Sequence, residues 1–283
     1  MAEDKNHTIL LREILVAIDS SPHSQAALRA AATLARLMEA NIRGLFVHEE
    51  HWSRISRLPA IASINELTGK TDTLEEKGLE KQVNLLKKRL RHQLEDISRK
   101  NKISHSWEST RGQVADEILE AAKKADLITL GRRGRSFSLK NKLGSTAKAI
   151  IQKADKPILL LKEGLDLGNT VTVVFDASEA SQKGLSLALS LAKRNYGKLS
   201  ILVLNKDQES ETRRNKELEK LIEKAEIPVS VTMLDKPSRW QLLNAINYQH
   251  AGLLVIPKKQ SFLQLDSLET NLEYLNCPVL MMN

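Results

Sequence analysis

Hydrophobic and polar positions alternate along this chain in two rhythms. Ile14-Leu-Val-Ala-Ile18 is an unbroken apolar run between Glu13 and Asp19, which predicts a strand buried on both faces. Ser20-Ser21-Pro22 follows, with Ser21 suited to the N-cap and Pro22 to the first helical position. From Ala26 to Met38, Ala and Leu recur at helical spacing, and Asn41 to Val47 reads as a second strand. A strand, a helix and another strand in this order fit a parallel sheet with right-handed crossovers. Residues 48–71 carry no clear period and include Pro59 and Gly69, so they predict a long loop with a helical piece. An amphipathic helix follows to about Lys100. Ile103 to Thr110 alternates as a third strand, and Ala115 to Lys124 reads as a helix. Leu127 to Leu130 is the fourth strand, a helix runs through Gln152, and Pro157 to Lys162 is the fifth strand.

After Glu163-Gly164 the pattern begins again. Val171 to Asp176 repeats the first strand, Ala177-Ser178 the turn, Gln182 to Arg194 the Ala/Leu helix and Leu199 to Leu204 the second strand. Lys216 to Ala225 reads as a charged helix, Pro228 to Leu234 as a third strand, Gln241 to His250 as a helix and Leu253 to Ile256 as the fourth strand. Pro278 to Met282 mirrors Pro157 to Leu161. Asp19 recurs 157 positions on as Asp176 and Pro157 recurs 121 positions on as Pro278, so the second copy is 36 residues shorter (157 less 121). The chain is an internal duplication, with domains expected over residues 1–164 and 165–283.

The densest chemistry lies after the fourth strand. Gly131-Arg132-Arg133-Gly134-Arg135 leads, nine residues beyond Gly134, to Gly144-Ser145-Thr146 at the start of a helix. Glycine lets backbone N–H groups come close to a ligand, and a helix start offers free N–H groups and a positive dipole end. Such a point favours phosphate, and three arginines add positive charge. The loop could equally be an ordinary strand-to-helix connection with turn glycines and a Ser/Thr cap. It is neither a P-loop, which needs G-x4-G-K-[ST], nor the dinucleotide fingerprint G-x-G-x-x-G.

Composition narrows the class. The 283 residues suit one large or two ordinary domains, and 41% hydrophobic with 4% aromatic content suits α/β packing by aliphatic side chains. A single cysteine, Cys277, excludes an internal disulfide framework and fits a reducing cytosol, where it is expected as a small buried residue. No apolar run approaches a membrane span and the first residues lack a signal-peptide pattern, so the expected location is the cytoplasm. The net charge of +8 admits an anionic partner. Much of it falls between Lys81 and Lys102, where basic residues interleave with Leu at helical spacing; a solvated helix face explains that run. His48-Glu-Glu-His51 is a poor metal motif without a third ligand, and no nucleophile elbow G-x-S-x-G occurs.

Val16-Ala-Ile-Asp19-Ser-Ser, the strand Leu127 to Leu130 and the ungapped spacing Gly131-x2-Gly134-x9-Gly144-Ser145 together resemble the universal stress protein family in its tandem two-domain form. That resemblance implies an α/β fold of two Rossmann-like domains, each a five-stranded parallel sheet of order 3-2-1-4-5 between helices. It implies fifth strands facing each other within one chain as a pseudo-dimer, with a homodimer of chains left open. It also implies an adenine nucleotide, ATP, with any Mg²⁺ carried mainly by the phosphates. Asp19 would hold the adenosine and Val47 would offer backbone groups to adenine. Leu130 and Gly131 would lie against the nucleotide, Arg133 and Gly134 near the phosphates, and Gly144, Ser145 and Thr146 on the phosphate tail. This placing agrees with ligand binding at the carboxyl ends of parallel strands.

The second copy departs from the pattern. Pro257-Lys258-Lys259-Gln260 stands where the first has Gly131-Arg-Arg-Gly134, and no glycine lies between Gln260 and Pro278. Proline removes an N–H and fixes φ, so this half is expected to bind no nucleotide in the same manner. The expected function is an ATP-binding regulatory protein of stress physiology with little or no turnover, since no dedicated base or metal-holding carboxylate pair lies near the loop. The alternative is an interaction module that docks a protein or nucleic acid through the basic helix; the scattered Trp52, Trp107 and Trp240 suggest no base-stacking platform.

Overall fold

The computed structural model describes residues 10–48, 62–64, 71–73, 76–134, 143–195, 197–205, 218, 222, 225–259 and 265–283. The first half contains β1 (Glu13–Ala17), α1 (Pro22–Met38), β2 (Asn41–His48), the short pair β3 (Ala62–Ile64) and β4 (Thr71–Thr73), and α2 (Glu76–Asn101). It continues with β5 (His105–Arg111), α3 (Val114–Ala122), β6 (Leu127–Gly131), α4 (Ser145–Lys153) and β7 (Ile158–Leu161). The second half contains β8 (Thr170–Phe175), α5 (Glu179–Arg194), β9 (Lys198–Asn205) and β10 (Val229–Asp235). It ends with α6 (Arg239–Tyr248), β11 (Leu253–Pro257), α7 (Leu265–Tyr274) and β12 (Val279–Met282).

The strands form one ten-stranded sheet in the order β10-β9-β8-β11-β12-β7-β6-β1-β2-β5. Every neighbour is parallel except β12 and β7, which pair antiparallel with Leu280 opposite Leu159. Within each half the order is 3-2-1-4-5 counting that half's sheet strands. The expected five-stranded sheets are thus two arms of one sheet, joined through their fifth strands.

Alternation along the strands sends side chains into two apolar layers. Ile14, Val16, Leu159, Leu161, Val173 and Leu280 pack under the helices α1, α2 and α5. Leu15, Ile128, Leu160, Val174, Leu254 and Met281 pack under α3, α4, α6 and α7. α1 begins as the sequence predicts: Ser21 caps it, its side chain accepting from the Ser24 N–H at 3.1 Å, and Pro22 opens the first turn. Ser178 caps α5 in the same way at 3.2 Å.

Four expectations change. Residues 62–64, inside the loop expected over 48–71, pair antiparallel with residues 71–73 at its end. α2 starts at Glu76, before the basic run. β2 extends one residue past Val47 to His48 because β5 pairs with it that far. α7 was not legible at all: Leu265 to Tyr274 carries few apolar residues, of which Leu268 and Leu272 are buried. The charged helix expected over 216–225 lies outside the described residues, apart from the helical Leu218 and Ile222 and the loop residue Ala225.

Candidate functional site

β1 and β6 are neighbours, and their carboxyl ends deliver the two segments that the sequence singles out. Beyond β1, the Asp19 N–H donates to Ser24 Oγ at 2.8 Å, and Asp19 Oδ1 accepts from the Ser21 N–H at 2.8 Å. The carboxylate is therefore held by its own turn. A Cβ placed on Gly134 would lie 3.3 Å from Asp19 Oδ2, so glycine at 134 keeps the space in front of the carboxylate clear. Ser21 Oγ donates to the Arg133 carbonyl at 3.3 Å, tying the start of α1 to the loop. The loop closes through Gly144, whose N–H donates to the Arg132 carbonyl at 2.8 Å. A Cβ on Gly144 would sit 3.4 Å from that carbonyl and from Arg133 Cα.

The expected cap of this loop needs correction, and Gly131 has a packing role. The N-cap of α4 is Gly144, with extended φ and ψ and no side-chain cap; Ser145 and Thr146 are the first helical residues, not a capping pair. The start of α4 thus has no capping hydroxyl. Gly131 is glycine for packing: an added Cβ would meet His23 Cβ at 2.7 Å, the His23 carbonyl carbon at 2.8 Å and Ser24 N at 2.9 Å. Its place is against the first turn of α1, within β6, where it pairs with Leu161. None of Gly131, Gly134 and Gly144 has positive φ.

The arginines also divide. Arg132 is buried, and its guanidinium crosses to the second half, donating to the carbonyls of Leu272 (2.5 Å), Leu275 (3.2 Å) and Cys277 (2.7 Å). Those carbonyls close the C-terminal end of α7, where a cation also suits the helix dipole. Burial lowers the pKa of Arg132 to about 10, so it stays charged at neutral pH. Arg133 pairs with Glu273 at 2.6 Å, and Lys148 in the first turn of α4 lies 3.4 Å from Glu269. Arg135 lies outside the described residues.

The remaining candidates fall in place around this mouth. Leu130 is buried in the layer under α3 and α4. Val47 lies past the last β2 residue paired with β1: pairing ends at Ala17 opposite Leu45, whose carbonyl accepts from the Ile18 N–H. By the two-residue period of a strand, the Val47 backbone points the same way as that of Leu45, toward the space beyond β1. Asp19, Gly134 and Gly144 are brought together, Gly131 is taken by α1, and the Arg133 side chain turns to α7.

His23 was missed in the sequence, where a lone histidine in a first helical turn carries no signal. Its Nδ1 accepts from the Glu163 N–H at 3.0 Å, so the neutral ring carries its proton on Nε2. Burial, then the nearby Arg133, hold its pKa below the usual value. Cys277 is buried as expected, and burial raises its thiol to about 11, leaving it protonated and inert. Of the suggested metal cluster only His48 is described; no group of three or more metal-ligating side chains occurs among the described residues.

In the second half Asp176 keeps its turn: Oδ1 accepts from the Ser178 N–H at 3.1 Å and from Ser178 Oγ at 2.6 Å. Pro257 takes the place of Gly131, pairing with Met282 as Gly131 pairs with Leu161. The next residue repeats the joint. Lys258 N–H donates to the Met282 carbonyl at 2.8 Å, as Arg132 N–H does to Leu161 at 2.7 Å. The Lys258 ammonium reaches the Ala154 carbonyl at 2.6 Å, at the C-terminal end of α4.

A mostly parallel sheet with helices on both faces, and a glycine-framed mouth at the carboxyl ends of β1 and β6, defines a Rossmann-like α/β protein. The sequence profile of the Universal stress protein family matches residues 11–162, more than half of the chain. The chain belongs to the universal stress protein family. It is 29% identical over 167 residues to Universal stress protein MJ0531 of Methanocaldococcus jannaschii, covering 56% of this chain and 86% of that one. Its fold is similar to the crystal structure of a universal stress protein from Archaeoglobus fulgidus DSM 4304, with TM-score 0.69 and 19% identity over 95% of this chain and 97% of that one. The cytoplasmic domain of a prokaryotic cation chloride cotransporter shares the fold too, with TM-score 0.56 and 15% identity over 96% and 95% of the two chains. Among the described residues, no helix is long and apolar enough to cross a membrane.

Proposed function

We propose that this chain is an ATP-binding regulatory member of the family, holding the nucleotide in a domain of residues 1–164 and not in the shortened domain of residues 165–283. The observation that carries this is the contrast between Gly134 and Gly144, which keep space clear beside Asp19 and at the start of α4, and the second half, where Gln260 stands in place of Gly134 and no glycine follows before Pro278. In this proposal Asp19 holds the adenosine and the Val47 backbone faces adenine. The N–H groups of Gly134, Ser145 and Thr146, with the Ser145 and Thr146 hydroxyls, hold the phosphates. Among the described residues no group of three or more metal-ligating side chains occurs; in this reading any Mg²⁺ arrives on the phosphates and turnover is slow. The antiparallel pairing of β7 and β12 supports a pseudo-dimer built within one chain.

The test is thermal unfolding with nucleotide. ATP at a hundred times its Kd stabilises a one-site protein by about 2.7 kcal/mol and raises the melting temperature by a few degrees. Gly134→Val should abolish that shift while leaving the unliganded melting temperature nearly unchanged; an equal shift in both proteins sinks the proposal. Identification of nucleotide co-purified with the protein is the direct companion measurement.

Fold alone does not choose among functions. The exposed basic residues of α2, among them Lys81, Lys88, Arg89 and Arg91, favour a second reading in which that helix docks an acidic partner. Stabilisation by a polyanion but not by ATP, lost steeply with salt, would select it.

A further inference from the structure

Two of the cations beside the glycine mouth are held by carboxylates of the other half. Arg133 Nη2 lies 2.6 Å from Glu273, and Lys148 Nζ 3.4 Å from Glu269. The two basic residues belong to the frame of the mouth itself. Arg133 Cα is 3.4 Å from where a Gly144 Cβ would stand, and the Lys148 N–H donates to the Gly144 carbonyl at 2.9 Å. All four side chains remain partly open to solvent, between 26% and 42% exposed. Arg132 differs: it is buried on three carbonyls and anchors the loop to α7 whatever its neighbours do.

The duplication shows that these pairs are particular to the front site. The offset of 121 that relates Pro157 to Pro278 sets Lys148 equivalent to Glu269 and Gln152 equivalent to Glu273. Lys148 and Glu269 therefore face each other across the axis that relates the halves, as opposite charges at equivalent positions. The second site has no matching acid: Lys259, the counterpart of Arg133, would look toward Gln152, which is neutral.

We infer that Glu269 and Glu273 of α7 tune the front site by competing with a polyphosphate for Lys148 and Arg133, so that the second half sets how strongly the first distinguishes nucleotides by phosphate charge. This rests on the proposed nucleotide site. Partly exposed ion pairs are weak and cheap to open, whereas each charge-assisted bond to a phosphate oxygen is stronger and shorter. A triphosphate draws both cations away from α7, and an uncharged nucleoside draws neither. Binding thereby frees the two carboxylates on α7 of the other half.

Calorimetric titration with ATP, ADP and adenosine at low ionic strength tests this on the full chain. Glu269→Gln with Glu273→Gln should tighten ATP about fivefold, ADP less and adenosine not at all, the size of a weak ion-pair competitor removed. In an Arg133→Ala, Lys148→Ala background the same two substitutions should change nothing, since the coupling needs its partners. Equal tightening for adenosine, unchanged ATP affinity, or a full effect that persists without Arg133 and Lys148 each overturns the inference while leaving the site proposal standing. Failure of wild type and every variant to bind any of the three ligands overturns both.

Discussion

The connection from β6 to α4 and the connection from β11 to α7 occupy the same place in the two halves, and their shared parts differ in kind from their unshared ones. Both send the backbone N–H after the fourth strand to the end of the fifth, and both plant a cation on the C-terminal end of the other half's last helix. That reciprocal joint is what the duplication preserves. Gly131, Gly134 and Gly144 are what it does not preserve, and they serve two purposes. Gly131 lets α1 sit down on β6, while Gly134 and Gly144 keep the mouth clear. A glycine pattern that looks like a single motif is thus part packing and part site.

The widest gap between the halves should appear at the joint. Arg132 satisfies three buried carbonyls and Lys258 one, that of Ala154, which Asn283 Nδ2 also reaches at 3.5 Å. Arg132→Met should cost about 3 kcal/mol, the penalty for stranding buried acceptors at a helix end, and Lys258→Met about 1 kcal/mol. Urea unfolding of the two variants measures the ratio. Equal losses would mean that the joint is symmetric in energy as well as in position.

Next in size is the split between the glycines. An alanine at 131 would press into the backbone of His23 and Ser24, so Gly131→Ala should destabilise by about 2 kcal/mol through overpacking. Gly134→Ala meets only a carboxylate oxygen at 3.3 Å and should cost below about 0.5 kcal/mol in the unliganded protein. Denaturation midpoints at constant slope decide between them.

These differences also show what a sequence exposes and what it hides. The strands were legible because runs such as Ile14 to Ile18 and Leu253 to Ile256 are continuously apolar, and Ser21-Pro22 marks a helix start by local chemistry alone. The repeat then aligned the two halves. α7 was hidden because, among its described side chains, the buried ones are Leu268, Asn271 and Leu272, too few apolar positions to show a period. The partners of the arginines were hidden for a related reason. Charge in a glycine loop suggests an anion, but the partners of Arg132 and Arg133 lie some 140 residues away, at a distance local pattern cannot report. Gly144 as N-cap, one residue before the expected Ser145-Thr146 pair, is a shift that only backbone angles settle.

A smaller contrast lies in the turns that follow the first strands. Ala177 sits in the left-handed region at φ 62°, while the matching Ser20 is not among the residues with positive φ. A side chain costs about 1 kcal/mol there, so Ala177→Gly should stabilise by about 0.5 kcal/mol after the unfolded-state entropy of glycine is subtracted. Ser20→Gly should bring no such gain. Parallel melts of the two variants compare the turns directly.

The smallest expected difference is in pH response, and it belongs to His23, whose counterpart by the same offset is Ala180. Burial and Arg133 hold the folded pKa of His23 below its ordinary 6.5, so the unfolded chain takes up the proton first as pH falls. The contribution is complete above pH 6.5 and is lost as pH drops from there through the lower folded value. Protonation at Nδ1 would also oppose the N–H of Glu163, which now donates to it, breaking the tie between the start of α1 and the segment after β7. Wild type should lose stability relative to His23→Gln between pH 7.5 and 5.5. Urea midpoints of the two proteins across that interval measure it, and because the difference cancels every other titrating group, curves that run parallel would show that His23 is not held neutral by the fold.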